Sequence, residues 1–412
     1  MMRAIPALHA FEGFGIELEY MIVDRQTLSV MPIADALLQS AAGSDGWNVE
    51  RGHYGWSNEI VLHLVELKNI RPESALAPLA AGFQGEVRAV NQLLQPLGAR
   101  LMPGGMHPWM NPVAETRLWP HDNAPIYQAY DRIFDCRQHG QANLQSMHLN
   151  LPFADDGEFI RLHAAVRLLL PILPAIAASS PFAEGVPSGY LDTRMAAYSM
   201  AVHRIPSVIG QVIPDTAGGH ADYGAQVLAP MYRDIAPLDP DGVLQHEWLN
   251  ARGAIPRFER NAIEVRVIDV QECPQADLAI AAAATAVTRA LYDGKWSPLA
   301  VQQAIGTDVL AKILAACIRD ADEAVIDDAG YLRLLGLPGR PCQAGELWLH
   351  LVETTTPDRD GPWREPLRVI LEQGPLARRI LRALGPTCGK EPLHEMYRVL
   401  CGCLEAGRMF VD

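Results

Sequence analysis

Alternating apolar and polar positions, or short runs rich in β-branched residues, mark five stretches as strands: 14–24, 59–69, 100–106, 143–153 and 261–270. Between them apolar residues recur at helical spacing over 78–97, 158–178 and the alanine-rich 276–292. These elements do not follow a regular strand–helix–strand rhythm. The pattern therefore predicts an α+β fold, with a mainly antiparallel sheet backed by helices on one face. From Trp296 onward the pattern is helical, in amphipathic segments such as "DVLAKILAACI", "EPLRVILEQ", "LARRILRALG" and "LHEMYRVLCGCLEAG". "RLLGLPGRPCQAGE" reads as the longest loop there. The expected division is a mixed region over 1–295 and a helical region over 296–412 packed on the same domain.

Three of the predicted strands break the simple apolar–polar code in the same way. In "FGIELEYMIVD" the side chains of Glu17 and Glu19 must share one face, with Ile16, Leu18 and Tyr20 on the other. In "NLQSMHLNLPF" Ser146, His148 and Asn150 share a face, and in "RNAIEVRVID" Glu264 and Arg266 do. "EIVLHLVELKN" adds Glu59, His63 and Glu66, which one regular strand cannot place on a single face. Paired carboxylates repel, so a buried pair calls for a compensating charge. Carboxylate and other oxygen donors on one wall suit a hard divalent cation such as Mg²⁺. An arginine beside them suits phosphoryl transfer, whose developing charge needs a cationic clamp. The plain alternative is an antiparallel sheet with one wet face. Such a face would carry Lys and Thr freely, and these segments carry neither until Lys68.

Bulk properties narrow the class without naming it. Hydrophobic residues make up 49% and charged residues 20% of 412, an ordinary globular balance. The formal charge of −14 argues against a nucleic-acid surface, which would need a basic stripe. Seven scattered cysteines point to a reduced, cytoplasmic protein rather than a disulfide scaffold. The start lacks the apolar core of a signal peptide, and "VRLLLPILPAIAASSPF" is too short and proline-broken to span a bilayer. "GPTCGKE" (385–391) is too short for a phosphate loop and ends in Glu rather than Ser or Thr. ATP, if bound, would rest on metal ions and arginines against the sheet.

"GIELEYMIVD" resembles the opening strand of the bacterial glutamate–cysteine ligase type 2 family, the carboxylate–amine ligases. The later motifs follow in the family's order: "VELKN", "PGGMHP", "SMHLNLPF", "SSPFAEG" with "LDTR", and "AIEVRVIDV". The resemblance runs from about Phe14 to Ala290. It implies a glutamine synthetase-like catalytic domain: a curved, mainly antiparallel sheet, helices on its convex face, and ATP, Mg²⁺ or Mn²⁺ and an amino acid on its concave face. It also implies an ATP-dependent ligase that forms an amide, typically γ-glutamyl, through an acyl phosphate. Carried over residue by residue, it gives Glu17, Glu19, Glu66, Glu264 and His148 to the metals. Arg266 and Glu264 become catalytic, His148 and Arg257 contact the nucleotide, and Arg194 and Asn150 contact substrate. The partners are then a small carboxylate or amino acid and an amine, with no nucleic acid or membrane. Open strand edges and family habit point to a homodimer.

The sequence also departs from the family. Where members show His-x-His-x-Gly, this chain has His148-Leu-Asn150-Leu-Pro152, and Phe-Gly-Thr is replaced by Phe258-Glu259-Arg260. These changes surround the substrate more than the metals. They leave open a ligase for a different acid–amine pair, or a non-catalytic descendant that binds nucleotide or a partner protein.

Overall fold

The computed structural model describes residues 7–43, 46–355, 361–385 and 389–411; positions 386–388 of "GPTCGKE" lie outside it. Its centre is an eight-stranded sheet. The strands are β1 (Gly15–Asp24), β2 (Val49–Arg51), β3 (Tyr54–Asn58), β4 (Leu64–Asn69), β5 (Ala99–Met102), β6 (Ser146–Pro152), β7 (Ala254–Arg257) and β8 (Ala262–Asp269). They lie in the order β2-β3-β4-β1-β6-β8-β7, with β5 paired to the end of β1, and every pairing is antiparallel. The expected mainly antiparallel α+β architecture is therefore the one observed.

The apolar face follows the predicted parity. Ile16, Leu18, Tyr20, Leu67, Met147, Leu149 and Ile263 are all fully buried. They share one core with helices α1 (Ala77–Leu94), α2 (Asp156–Leu169), α3 (Thr193–Ala201) and α4 (Pro274–Tyr292). Helix α4 is buried on nearly every side, which its alanines permit by letting neighbours approach closely, and it begins with proline at its first position. The predicted helix over 158–178 is interrupted. Pro171 and Pro174 divide it into α2, a 3₁₀ turn and a further helical turn, because proline cannot donate to the helical ladder.

Other differences have local causes. The strand predicted over 59–69 begins only at Leu64. Before it the chain turns, and the buried His63 donates from Nε2 to the Ala142 carbonyl at 2.7 Å. Strands β2 and β3 escape the pattern because "VERGHYGWSN" mixes charges and glycines with few apolar positions. The loop expected over 333–346 ends in the first residues of helix α6 (Ala344–Thr355). Trp348 anchors that helix, donating from Nε1 to the Ile172 carbonyl at 2.7 Å.

Helix α5 (Thr307–Asp320) and α6 precede α7 (Arg364–Gln373), α8 (Leu376–Leu384) and α9 (Lys390–Ala406). Helices α5, α6 and α7 share the apolar core of the sheet, while α8 and most of α9 pack in a second cluster with Met21, Val23 and Met102. They are also joined by charge. Arg379 of α8 and Glu272, just beyond β8, form an ion pair at 2.7 Å with both side chains fully buried. Arg379 also donates to the Phe410 carbonyl, and Phe410 N donates to Glu272 at 3.2 Å. None of the helices among the described residues is long and apolar enough to cross a membrane.

Three buried histidines give the fold a defined acid limit. Burial pushes His63 and His107 down to about 4, and burial with the nearby Arg167 and Arg252 charges pushes His163 down to about 3. Between those values and the ordinary 6.5 the unfolded chain binds more protons than the folded one, so stability rises with pH across that window. It is expected to be complete above about pH 6.5 and to fall as pH drops toward 4, each histidine contributing up to ~1.4 kcal/mol per pH unit. Urea unfolding at stepped pH measures this. His163→Phe, among Phe159 and Tyr223, should make the slope shallower; an unchanged slope would contradict the assignment.

Candidate active site

The polar face is assembled by strand register. Glu17 of β1 lies opposite His148 of β6, and Glu19 lies opposite Glu66 of β4. Glu264 of β8 lies opposite Asn150. A bulge in β8 between Val265 and Ile268 then shifts the register by one and sets Asp269 opposite Ser146. Because one extra residue reverses the side-chain parity, Glu264, Arg266 and Asp269 all reach the polar side. The central strands therefore place Glu17, Glu19, Glu66, His148, Asn150, Glu264 and Arg266 together, and the fold answers the crowding of carboxylates with hydrogen bonds.

His148 Nδ1 donates to Glu17 Oε2 at 2.9 Å, and its Nε2 lies 3.6 Å from Glu19 Oε1. Asn150 Nδ2 donates to Glu17 Oε1 at 3.3 Å. Glu19 Oε2 accepts from both the backbone N and the hydroxyl of Ser146, at 2.7 and 2.8 Å. Glu66 Oε1 accepts from Ser57 Oγ at 2.8 Å and from Lys68 Nζ at 2.6 Å. Glu264 lies between two arginines, Arg266 at 2.8 Å and Arg257 at 3.2 Å.

These contacts decide the charge states. Burial alone would lower His148, but the carboxylates of Glu19 and Glu17 outweigh it and raise it to about 9. Burial works against ionised Glu17, yet the hydrogen bond and charge of His148 hold its pKa below the ordinary value despite repulsion from Glu264. Glu264 is likewise held low against burial by Arg266, His148 and Arg257. Glu59 is the exception. Burial, then Glu19 and Glu66, push it well above the usual carboxylate range, and its carboxyl has no hydrogen-bond partner among the described residues.

The donor set fits a divalent cation. Glu17, Glu66 and His148 each offer a ligand atom, and the three atoms lie within 4.8 Å of one another. Two carboxylates with one imidazole suit Mg²⁺ or Mn²⁺, and His148 would release its proton on binding the ion. Glu19 and Glu264 stand on the same face but outside that trio, each engaged by its own donors. Glu59, noted in the sequence but left out of the candidate set, turns toward Glu19 and Glu66 because the chain leaves the regular strand before Leu64. Ser57 and Lys68 are further additions. The missed strand β3 hides Ser57, and Lys68 looks like a solvated residue until the register places it beside Glu17 and Glu66.

A cavity of about 210 Å³ opens beside this wall, lined by Glu19, Glu59, His148 and Arg266 and by the aromatic Tyr127 and Trp248. Arg194, at the start of α3, reaches the same cavity, with its guanidinium already bound on three sides. It donates from Nε to Asp269 at 2.5 Å, from Nη1 to Ser146 Oγ at 3.2 Å and from Nη2 to the Arg266 carbonyl at 3.2 Å. Arg257 lies at the far end of the wall, shared between Glu264 and the exposed Glu259.

Comparison with known proteins gives a consistent outcome. The family model described as glutamate–cysteine ligase family 2 matches residues 13–331. An uncharacterized protein of Archaeoglobus fulgidus is 30% identical over 397 residues, covering 96% of this chain and all of that protein. A Bradyrhizobium diazoefficiens protein, whose name assigns it provisionally to glutamate–cysteine ligase 2, is 27% identical over 283 residues. That match covers 68% of this chain and 59% of the relative. Among solved structures, a glutamate–cysteine ligase of Francisella tularensis in complex with AMP superposes with a TM-score of 0.62. It covers 96% of this chain and 89% of that one at 13% identity. A bifunctional glutathione synthetase of Pasteurella multocida gives 0.63 at 14% identity, covering 96% and 53%. At such identities the structural likeness establishes a shared fold.

Proposed function

Because the chain belongs to glutamate–cysteine ligase family 2, we propose that it uses ATP to join a small carboxylic acid to an amine through an acyl phosphate. The observation that carries this reading is the meeting of Glu17, Glu66 and His148 within 4.8 Å, on the sheet face that holds Arg266 and borders the cavity. A carboxylate is a poor electrophile because its leaving group would be oxide. In the proposed reaction an oxygen of the acid attacks the γ-phosphorus of ATP and ADP departs. The amine nitrogen then attacks the acyl carbon, and phosphate departs with that same oxygen.

The roles follow from position. Glu17, Glu66 and His148 would hold a divalent cation, with Glu19, whose Oε1 lies 3.6 Å from His148 Nε2, a further ligand from the same face, Glu264 completing the acidic wall and Glu59 ionising once the cation relieves its repulsion. The cation would supply charge neutralisation at the phosphates. Arg266, fixed by Glu264 at 2.8 Å, would face the transferring phosphoryl group, and Arg257 and His148 would contact the nucleotide. Arg194 and Asn150 would hold the acid, the arginine through the N–H groups left over from its three anchors. No protein nucleophile is needed, since catalysis here is positioning and charge stabilisation.

Glutamate with cysteine is the first pair to test. A different pair is favoured by the aromatic lining of the cavity, Tyr127 and Trp248, and by the altered strand around Asn150. Purified protein with ATP and Mg²⁺ should release phosphate with at least one acid–amine pair from a panel of amino acids, other carboxylates and amines. Silence across the panel, with ATP failing to bind, would overturn the ligase reading in favour of a non-catalytic descendant.

A further inference from the structure

Five motifs scattered over some 165 residues meet at one buried carboxylate that the reaction itself does not use. Asp269, the last residue of β8, is fully buried. Its Oδ2 accepts from Ser179 N at 2.9 Å and from Ser180 Oγ at 2.8 Å, both in "SSPF". Its Oδ1 accepts from Arg194 Nε of "LDTR" at 2.5 Å. Gly105 of "PGGMHP" lies against the same carboxyl. A Cβ built there would stand 2.3 Å from Asp269 Cγ and Oδ2, so only glycine leaves room for the acid. Gly105 N also donates to Ser179 Oγ at 2.7 Å, which ties the glycine loop to the serine pair.

The network continues to the metal wall. Arg194 Nη1 donates to Ser146 Oγ of "SMHLN", and Ser146 in turn donates to Glu19 Oε2. The bulge in β8 serves this arrangement, since it is what sets Asp269 opposite Ser146. An ordinary core would gain nothing from burying an aspartate among the donors of Ser179, Ser180 and Arg194, whereas a precise site gains a fixed guanidinium and a fixed carboxylate.

We propose that Asp269 is a positioning residue that orients Arg194 and, through Ser146, sets the carboxylate of Glu19 for the cation, with Gly105 the glycine that makes room for it. This rests on the metal reading above. Outer partners of metal ligands typically carry 10–100-fold in metal affinity. Mn²⁺ alone is the probe, its binding to the full chain followed by electron paramagnetic resonance, with melting temperature recorded in parallel. Asp269→Asn and Gly105→Ala, which act through the Ser146 bridge, should weaken Mn²⁺ binding several-fold. Ser146→Ala, which breaks the bridge but leaves the Arg194–Asp269 pair intact, should weaken it several-fold with little change in melting. If Asp269→Asn does not fold, the other two variants decide. Folded Gly105→Ala and Ser146→Ala proteins that bind Mn²⁺ as the parent does would overturn the positioning role. A parent protein that binds no Mn²⁺ would instead overturn the metal reading, and this role with it.

Discussion

Glu17→Gln is expected to abolish turnover, with ATP-dependent phosphate release falling about 10³-fold and Mn²⁺ binding about 100-fold. The substitution keeps the size of the side chain and the strand. It removes one of the three converging ligand atoms and the carboxylate that His148 Nδ1 grips at 2.9 Å. Losing that partner frees the imidazole to turn, so a second ligand is disturbed along with the first. The sheet itself should survive, because the backing residues Ile16 and Leu18 are untouched and fully buried. Melting in the presence of a chelator should therefore change by only a few degrees. A Glu17→Gln protein with parental turnover would place the metal elsewhere.

The second large effect concerns stability. Arg379→Met should destabilise the protein by about 3–5 kcal/mol, because it leaves the fully buried Glu272 carboxylate without its charge partner. The same change frees the Phe410 carbonyl, and so loosens the end of the chain that closes over this pair. Combining it with Glu272→Leu should restore more than half of the loss, since two apolar side chains need no charge partner. Urea unfolding of the single and double variants measures both numbers. A single variant that loses less than about 1 kcal/mol would show that the pair is screened by solvent.

Much of the site was legible in the chain because strands advertise parity. Glu17 with Glu19, Ser146 with His148 and Asn150, and Glu264 with Arg266 each announce a polar face, and the apolar residues between them announce a core. What parity cannot give is register. Nothing in "AIEVRVID" reveals the bulge that brings Asp269 to the polar side, and nothing in "LVELKN" says that Lys68 will reach Glu66 and Glu17 rather than water. Glu59 was visible, yet its direction depends on where β4 starts, which His63 fixes through a contact with distant Ala142. Strands β2 and β3 and the helix from Ala344 were obscured for another reason. In β2 and β3 apolar residues are few, and the glycines and prolines before Ala344 hide the start of a helix whose Trp348 is held by distant Ile172.

The same limit applies to Arg194. As one arginine in "LDTR" it could be read only as a substrate contact, whereas the fold gives it three anchors as well as a place on the cavity wall. Specificity is harder still to read. Tyr127 and Trp248 line one cavity from segments far apart in the chain, and it is that lining which would choose the amine.

The central claim is that the acid is activated as an acyl phosphate, and oxygen tracing tests it most directly. A productive acid labelled with ¹⁸O in its carboxylate is incubated with ATP, Mg²⁺, the amine and the protein, and the products are weighed by mass spectrometry. The account predicts ADP as the nucleotide product and one ¹⁸O atom carried into the released phosphate. AMP with pyrophosphate, or ADP with phosphate that contains no label from the acid, would contradict it.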